Sequence, residues 1–380
     1  MILKKLLMEI LKTIVNITIL NLKIFFYKNT VKNGKVLLFF FSRKNLTLIS
    51  KDYLEYLFKN FGEKILVIYG HQLKNINYKN YYFLKESFLL KYLINIDIFF
   101  SNYLSDKFTL NSIKIYMHHD ISTAPLVDKK KEKDLFLRLV NYDFIFSPQK
   151  KSSIMFQEFF NRHKKIKSLK SIPSIYEVGY PKLDYLRSKK IKIKRSKTII
   201  VIAPSDYRHI QKLSIYNEIE EIIDLILKKT SYTVYFRPYP ANLKSQKVIK
   251  IINKYNHSKR FYLDKSNDYT KVYSKSKYML TDISGTAITY TFFTNRKVIF
   301  YSRDENLVKK KYYANNSYFK DRNKFGVIKY KPIEIAKFLN SNSHNIIKNN
   351  LREKITYLDN SKKRIKYLIQ DIIEKYEKKI

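Results

Sequence analysis

From residue 277 to 302 the chain reads KYMLTDISGTAITYTFFTNRKVIFYS, a pattern that admits little but a strand, a tight turn, a helix and a second strand. Residues 278–280 are a short apolar run ending in Thr281 and Asp282. Ser284, Gly285 and Thr286 then open a segment that continues through Ala287 to Phe293, before a second apolar run at 298–301. Two strands joined through a helix lie parallel in one sheet. A helix that begins just beyond a strand end aims unpaired N–H groups and the positive end of its dipole at whatever occupies that end of the sheet. A diphosphate suits such a place, and small hydroxyl residues with one Gly let it come close. An ordinary turn with Ser284 as helix N-cap would carry the same letters.

The same alternation runs through the chain. Residues 36–41, 65–69, 96–100, 113–117 and 144–146 are short β-rich apolar runs, each separated from the next by a helical or loop-like stretch. Gly179 and Pro181 break the pattern, and 188–197 is a basic, weakly apolar stretch of the kind that separates domains, which puts a boundary near residue 190. The alternation then restarts: strand 198–202, helix 213–229, strand 232–236, helix 245–255, strand 261–263. From residue 333 onward Ile, Leu and Tyr recur at helical spacing among many Lys. Strands alternating with helices give parallel sheets, and 380 residues suffice for two domains, each with its own core. The expected fold is α/β, with two doubly wound, Rossmann-like domains facing each other across a cleft. A basic N-terminal segment (1–30) precedes the domains (31–190 and 191–330), and C-terminal helices (331–380) follow.

Charge bounds the partners. The formal net charge is +43, but 62 Lys stand against 13 Arg, and Lys, Asn, Ile, Tyr and Phe are abundant together, a skew expected of an A+T-rich genome. Specific nucleic-acid sites favour Arg, so no nucleic-acid partner is expected. The remaining charge favours a lipid headgroup surface, a nucleotide or a phosphate-bearing acceptor. The chain has no cysteine, which excludes disulfides, thiolate metal sites and cysteine nucleophiles. At the N-terminus the longest uncharged run, 13–22, is about half of the ~20 residues that span a bilayer, and no small-residue cleavage site follows it. A helix here sets Leu3, Leu7, Ile10, Leu11, Ile14 and Ile17 along one face. It is expected to lie in the membrane interface or to pack on the core, and not to cross.

Residues with chemistry in them gather at the carboxyl ends of the expected strands, where ligands of doubly wound folds bind. His118, His119 and Asp120 follow the strand 113–117, and a general base needs a titrating group held at such a rim. Neighbours on an extended strand face opposite ways, so one histidine meets substrate while the other packs or holds a turn. Adjacent histidines lack the spacing of zinc ligands, and no metal is expected. Arg208 lies in APSDYR after strand 198–202, and Arg237 opens RPYP after strand 232–236. A guanidinium offers phosphate two parallel hydrogen bonds. Lys182 and Asp184 lie in GYPKLD, near the domain junction, at the cleft or at a hinge.

In order, HHDISTAPLV (118–127), GYPKLD (179–184), APSDYR (203–208), RPYP (237–240) and TDISG (281–285) resemble the sequential motifs of the CDP-glycerol glycerophosphotransferases of teichoic-acid synthesis. The family's typical motifs are His-Gly-Thr-Pro, Gly-x-Pro-Arg-x-Asp, Ala-Pro-Thr-Trp-Arg, Arg-Pro-His-Pro and Thr-Asp-Tyr-Ser-Ser. The resemblance implies a GT-B-like fold and a peripheral enzyme at the cytoplasmic face of the membrane, needing no cofactor. It would transfer glycerol phosphate or a related alditol phosphate from a CDP-activated donor to a polymer or lipid-linked acceptor, releasing CMP. It makes His118 or His119 the base, and Arg237, Tyr239, Asp282, Ser284, Gly285 and Thr286 the donor-phosphate residues. Tyr239 stands where the family has His and brings no charge at neutral pH, which shifts the phosphate contact toward Arg237. Gly285 stands where the family has its second Ser. A GT-B glycosyltransferase using a nucleotide sugar in capsule or lipopolysaccharide synthesis would need the same diphosphate site and base. A protein that only binds membrane or nucleic acid through its basic faces would be indifferent to loss of His118, His119 or Ser284.

Overall fold

The computed structural model describes the chain except residues 1, 41–43, 71–77, 85–87, 119, 122–127, 167–170, 190–197, 267, 313–316, 342–345, 348–354 and 378–380. It divides into two compact units, Met1–His119 with Lys131–Tyr185 and Thr356–Ile380, and Asp120–Lys130 with Leu186–Ile355.

The first unit is built on seven parallel strands: β1 (Lys35–Phe40), β2 (Ile65–Tyr69), β3 (Tyr81–Phe83), β4 (Ile98–Ser101), β5 (Ile113–Met117), β6 (Phe144–Ser147) and β7 (Ser174–Glu177). Their order is β3-β2-β1-β4-β5-β6-β7, so the winding reverses between β1 and β4. The second unit repeats the plan with β8 (Ile199–Ile202), β9 (Thr233–Phe236), β10 (Phe261–Leu263), β11 (Tyr278–Thr281), β12 (Val298–Tyr301) and β13 (Gly326–Lys329). Its order is β10-β9-β8-β11-β12-β13, with the reversal between β8 and β11. Each sheet is doubly wound, and a ligand belongs at the carboxyl ends of the strands that flank the reversal.

The central strands are the apolar runs of the sequence, because a strand covered on both faces must be apolar throughout. The strands without such a run are β3, β7 and β13, and each is an edge. YYF, SIYE and GVIK are only partly buried, since an edge strand has one neighbour and an open flank. In the first core Leu37, Phe39, Phe100, Ile115 and Phe146 pack with Ile365, Leu368, Ile369 and Ile372 of the C-terminal helix Ser361–Glu377. That helix therefore belongs to the first sheet, whereas the helix Pro332–Asn340 packs through Ile335 and Leu339 in the second core.

The N-terminal helix, Ile2–Thr30, belongs to the first unit. Ile17, Leu20, Ile24 and Tyr27 are buried, while Leu7, Leu11, Ile14, Val15, Leu22, Phe25 and Phe26 are exposed. The single stripe read from the sequence is thus divided, Ile17 turning inward and Leu7, Leu11 and Ile14 outward. Asn21 fixes the inward face by donating to Tyr92 O at 2.9 Å and accepting from Ile94 N–H at 3.1 Å, and Lys28 pairs with Asp97 at 2.6 Å. By length and composition alone, Leu7–Thr30 would suffice to cross a membrane, because Lys12 and Lys23 interrupt its apolar run without making the stretch polar.

Candidate active site

In the second unit three turns, after β8, β9 and β11, come together around the reversal of the sheet. The first and third are joined by Asp282, which is 2% exposed. One carboxylate oxygen accepts from Ser205 N–H at 2.9 Å and the other from Ile215 N–H at 3.1 Å. Ser205 Oγ donates to Ile283 O, and Thr281 Oγ1 donates to Ala203 O at 2.6 Å. Burial pushes the Asp282 carboxyl above its ordinary range, and the backbone N–H bonds pull it partly back. The sequence reading made Asp282 a donor contact, whereas its oxygens are turned inward and engaged by the protein's own backbone. Its work here is to hold two turns in register.

Ser284, Gly285 and Thr286 are half-buried at the head of the helix Thr286–Thr294, which has no side-chain cap at Gly285. Asn295 ends that helix in the left-handed conformation, with φ of 59°. The turn is braced by tyrosines that the sequence reading missed. Tyr318 Oη accepts from Ser284 N–H at 2.8 Å and donates to Asp282 O at 3.0 Å, so one buried phenol ties the turn at two points. Tyr273 Oη lies 2.6 Å from Thr286 Oγ1. Tyrosine occurs 33 times in the chain, so residue type gave no signal, and both lie far from the turn along the sequence or on another helix.

Arg237, after β9, is 11% exposed in its side chain and pairs with Asp264 at 2.6 Å, while its other nitrogen donates to Ser266 O at 3.0 Å. It also bears on Tyr273, whose hydroxyl burial pushes up and the Arg237 charge pulls down. Arg237, Tyr273 and Thr286 thus form a polar row leading to the head of the helix. Arg208 is half-exposed and forked onto Asp206, with contacts of 2.9 and 2.5 Å. Tyr239 is half-buried before the turn Pro240–Asn242.

In the first unit, His118 follows β5 and is 9% exposed. Its N–H donates to Phe146 O at 2.9 Å, its Nδ1 lies 3.0 Å from Tyr116 Oη, and its ring meets Phe156 edge-on at 5.4 Å. It is a packed histidine. His119 lies outside the described residues. Asp184, offered by the sequence as a cleft residue, is 6% exposed and spent on the fold: it accepts from Asp359 N–H at 2.8 Å, Ser361 N–H at 2.9 Å and Ser361 Oγ. Burial raises its carboxyl too. Gly179, with φ of +84°, lies where a Cβ would come within 3.0 Å of Thr356 O and Tyr357 O, so GYPKLD forms the dock of the C-terminal helix. Lys182 is half-buried on the helix Pro181–Ser188.

The motif order and this arrangement agree with the sequence profile of CDP-glycerol:poly(glycerophosphate) glycerophosphotransferases, which matches residues 71–361. The chain belongs to that family. It is accordingly an enzyme, a glycerophosphotransferase-like transferase. No curated relative matches the sequence. Among solved structures, the wall teichoic acid polymerase TagF is 19% identical over 98% of both chains, with a TM-score of 0.55. The S. aureus MnaA structure with UDP is 14% identical over 90% of this chain and 97% of that one, with a TM-score of 0.58. A Methanocaldococcus jannaschii UDP-GlcNAc 2-epimerase is 12% identical over 88% and 99%, with a TM-score of 0.56. At these identities the likeness is one of fold, and the fold is GT-B.

Proposed function

We propose that this glycerophosphotransferase-family enzyme moves glycerol phosphate, or a related alditol phosphate, from a CDP-activated donor to a hydroxyl of a cell-surface polymer or lipid-linked acceptor. The observation that carries the reading is the convergence of the turn 284–286, its helix head and the Arg237–Tyr273–Thr286 row at the reversal of the second sheet. On this reading the acceptor oxygen attacks the donor β-phosphorus in line, the bond from that phosphorus to the bridging oxygen breaks, and CMP leaves with the bridging oxygen. The nucleophile loses its proton to a base, and the diphosphate charge is met by Ser284, Thr286, the helix head and Arg237. His119 takes the proton, because His118 is packed among aromatic rings. The family profile and a TagF variant studied with CDPG support a CDP-linked donor.

Purified enzyme offered CDP-glycerol, CDP-ribitol and a panel of nucleotide sugars should release CMP from a CDP-alditol. Release of nucleotide from a nucleotide sugar alone would sink the reading in favour of a glycosyltransferase.

The enzyme works peripherally, at the cytoplasmic face of an anionic membrane. The outward row of the N-terminal helix supports this: its inward face is tied to the first unit through Asn21 and Lys28, which leaves the exposed apolar side to lie in the interface plane. Flotation with anionic vesicles should fail for the double variant Phe25→Ser, Phe26→Ser; undiminished flotation would refute it.

A further inference from the structure

Asp120 opens a segment, Asp120–Lys130, that belongs to the second unit. Its neighbour Ile121 is buried. At the far end Asp128 lies 3.8 Å from Lys311 Nζ, and Lys129 Nζ donates to Lys309 O at 3.2 Å. The segment is fastened at both ends, and its first residue reaches the turn 284–286. A Cβ placed on Gly285 would lie 2.5 Å from Asp120 Oδ1 and 2.8 Å from both Cγ and Oδ2. Gly285 itself has φ of −61°, a conformation open to any residue. The backbone therefore makes no demand for glycine here; the Asp120 carboxylate does.

Both positions depart from the motif pattern, and they depart together. With His119 as the motif histidine, Asp120 stands where the pattern has Gly, and Gly285 stands where it has Ser. The bare position and the side chain have changed places across one contact.

We propose that Asp120 and Gly285 are a coupled pair, and that Asp120 is a specificity-determining residue setting the charge that an anion meets at the turn 284–286. The second half rests on the donor reading above. A helix head favours negative charge, and a carboxylate fixed beside it supplies that charge from within, so an incoming diphosphate is bound less tightly than at a bare head. The Asp120 charge reaches deep into the turn: burial pushes the Tyr318 phenol up, and Asp282 and Asp120 add to the shift.

The test is a double-mutant cycle with two readouts. Gly285→Ser puts a side chain into the carboxylate, and should lower thermal stability and kcat/KM; adding Asp120→Gly should restore both, to within about threefold of wild-type kcat/KM. Additive losses in the unliganded melting temperature would overturn the coupling. Asp120→Asn keeps the shape and removes the charge, so it should tighten binding of CDP and of inorganic pyrophosphate by on the order of tenfold. A merely structural residue would not tighten binding when changed, and unchanged affinity would overturn the specificity role. If no variant and not the wild type binds CDP while the stability coupling persists, the donor reading fails, taking the charge role with it, and the pair stands.

Discussion

Asp184 and Asp282 do the same physical work in two different places. Each is a buried carboxylate in a motif turn beyond a parallel strand, and each accepts two backbone N–H bonds. Asp184 follows β7, the outermost strand of its sheet, and fastens the C-terminal helix to the first unit. Asp282 follows β11, which flanks the reversal of its sheet, and fastens the loops that carry Ser205 and Ser284. A buried aspartate in such a turn therefore marks rigidity. Whether that rigidity serves a ligand depends on where the strand stands in the sheet order.

The largest test of this contrast lies in the first unit, where catalysis rests on His119 and the neighbouring groups serve the fold. His119→Ala should lower kcat by about 100- to 10,000-fold with CDP binding intact. His118→Ala should instead cost about 2 kcal/mol of stability through lost packing and leave the kcat of folded enzyme near wild type. Steady-state rates beside thermal melts separate the two, and full activity in both variants would end the base assignment.

The aspartates themselves come next. Asp184→Ala and Asp282→Ala each strand buried N–H groups and should each cost about 1–3 kcal/mol. Only Asp282→Ala should also weaken CDP, by about tenfold, because it loosens the turn at the sheet reversal. Equal effects on CDP affinity would erase the contrast.

The smallest effect is in pH. Burial raises both carboxyls, so each contributes its full stabilisation below the ordinary carboxylate range and loses it as pH rises through the raised value. The stability of the wild type relative to Asp184→Asn should therefore grow as pH is lowered from about 7 toward about 4. A difference that stays flat, or shrinks, would show that the carboxylate is not raised.

Much of this was legible in the residues. The strands 65–69 and 113–117 were readable because a strand covered on both faces must be apolar at every position. β3, β7 and β13 were not, because an edge strand escapes that demand. The turn 281–286 could be recognised as a strand end opening a helix, but not that Asp282 would face inward, since an aspartate that contacts a phosphate site and one that braces it are the same letter. Tyr273 and Tyr318 gave no signal in a chain so rich in tyrosine.

By itself, then, the sequence determined the alternation of strand and helix, two parallel sheets, and the order of the motifs, all of which rest on periodicities a few residues long. The tertiary structure alone decided that the C-terminal helix returns to the first sheet, that Asp184 is used to hold it, and that Gly285 is bare because Asp120 comes to meet it. Those are contacts between segments far apart in the chain, and no local pattern carries them, because burial and charge at a position depend on what the fold brings beside it.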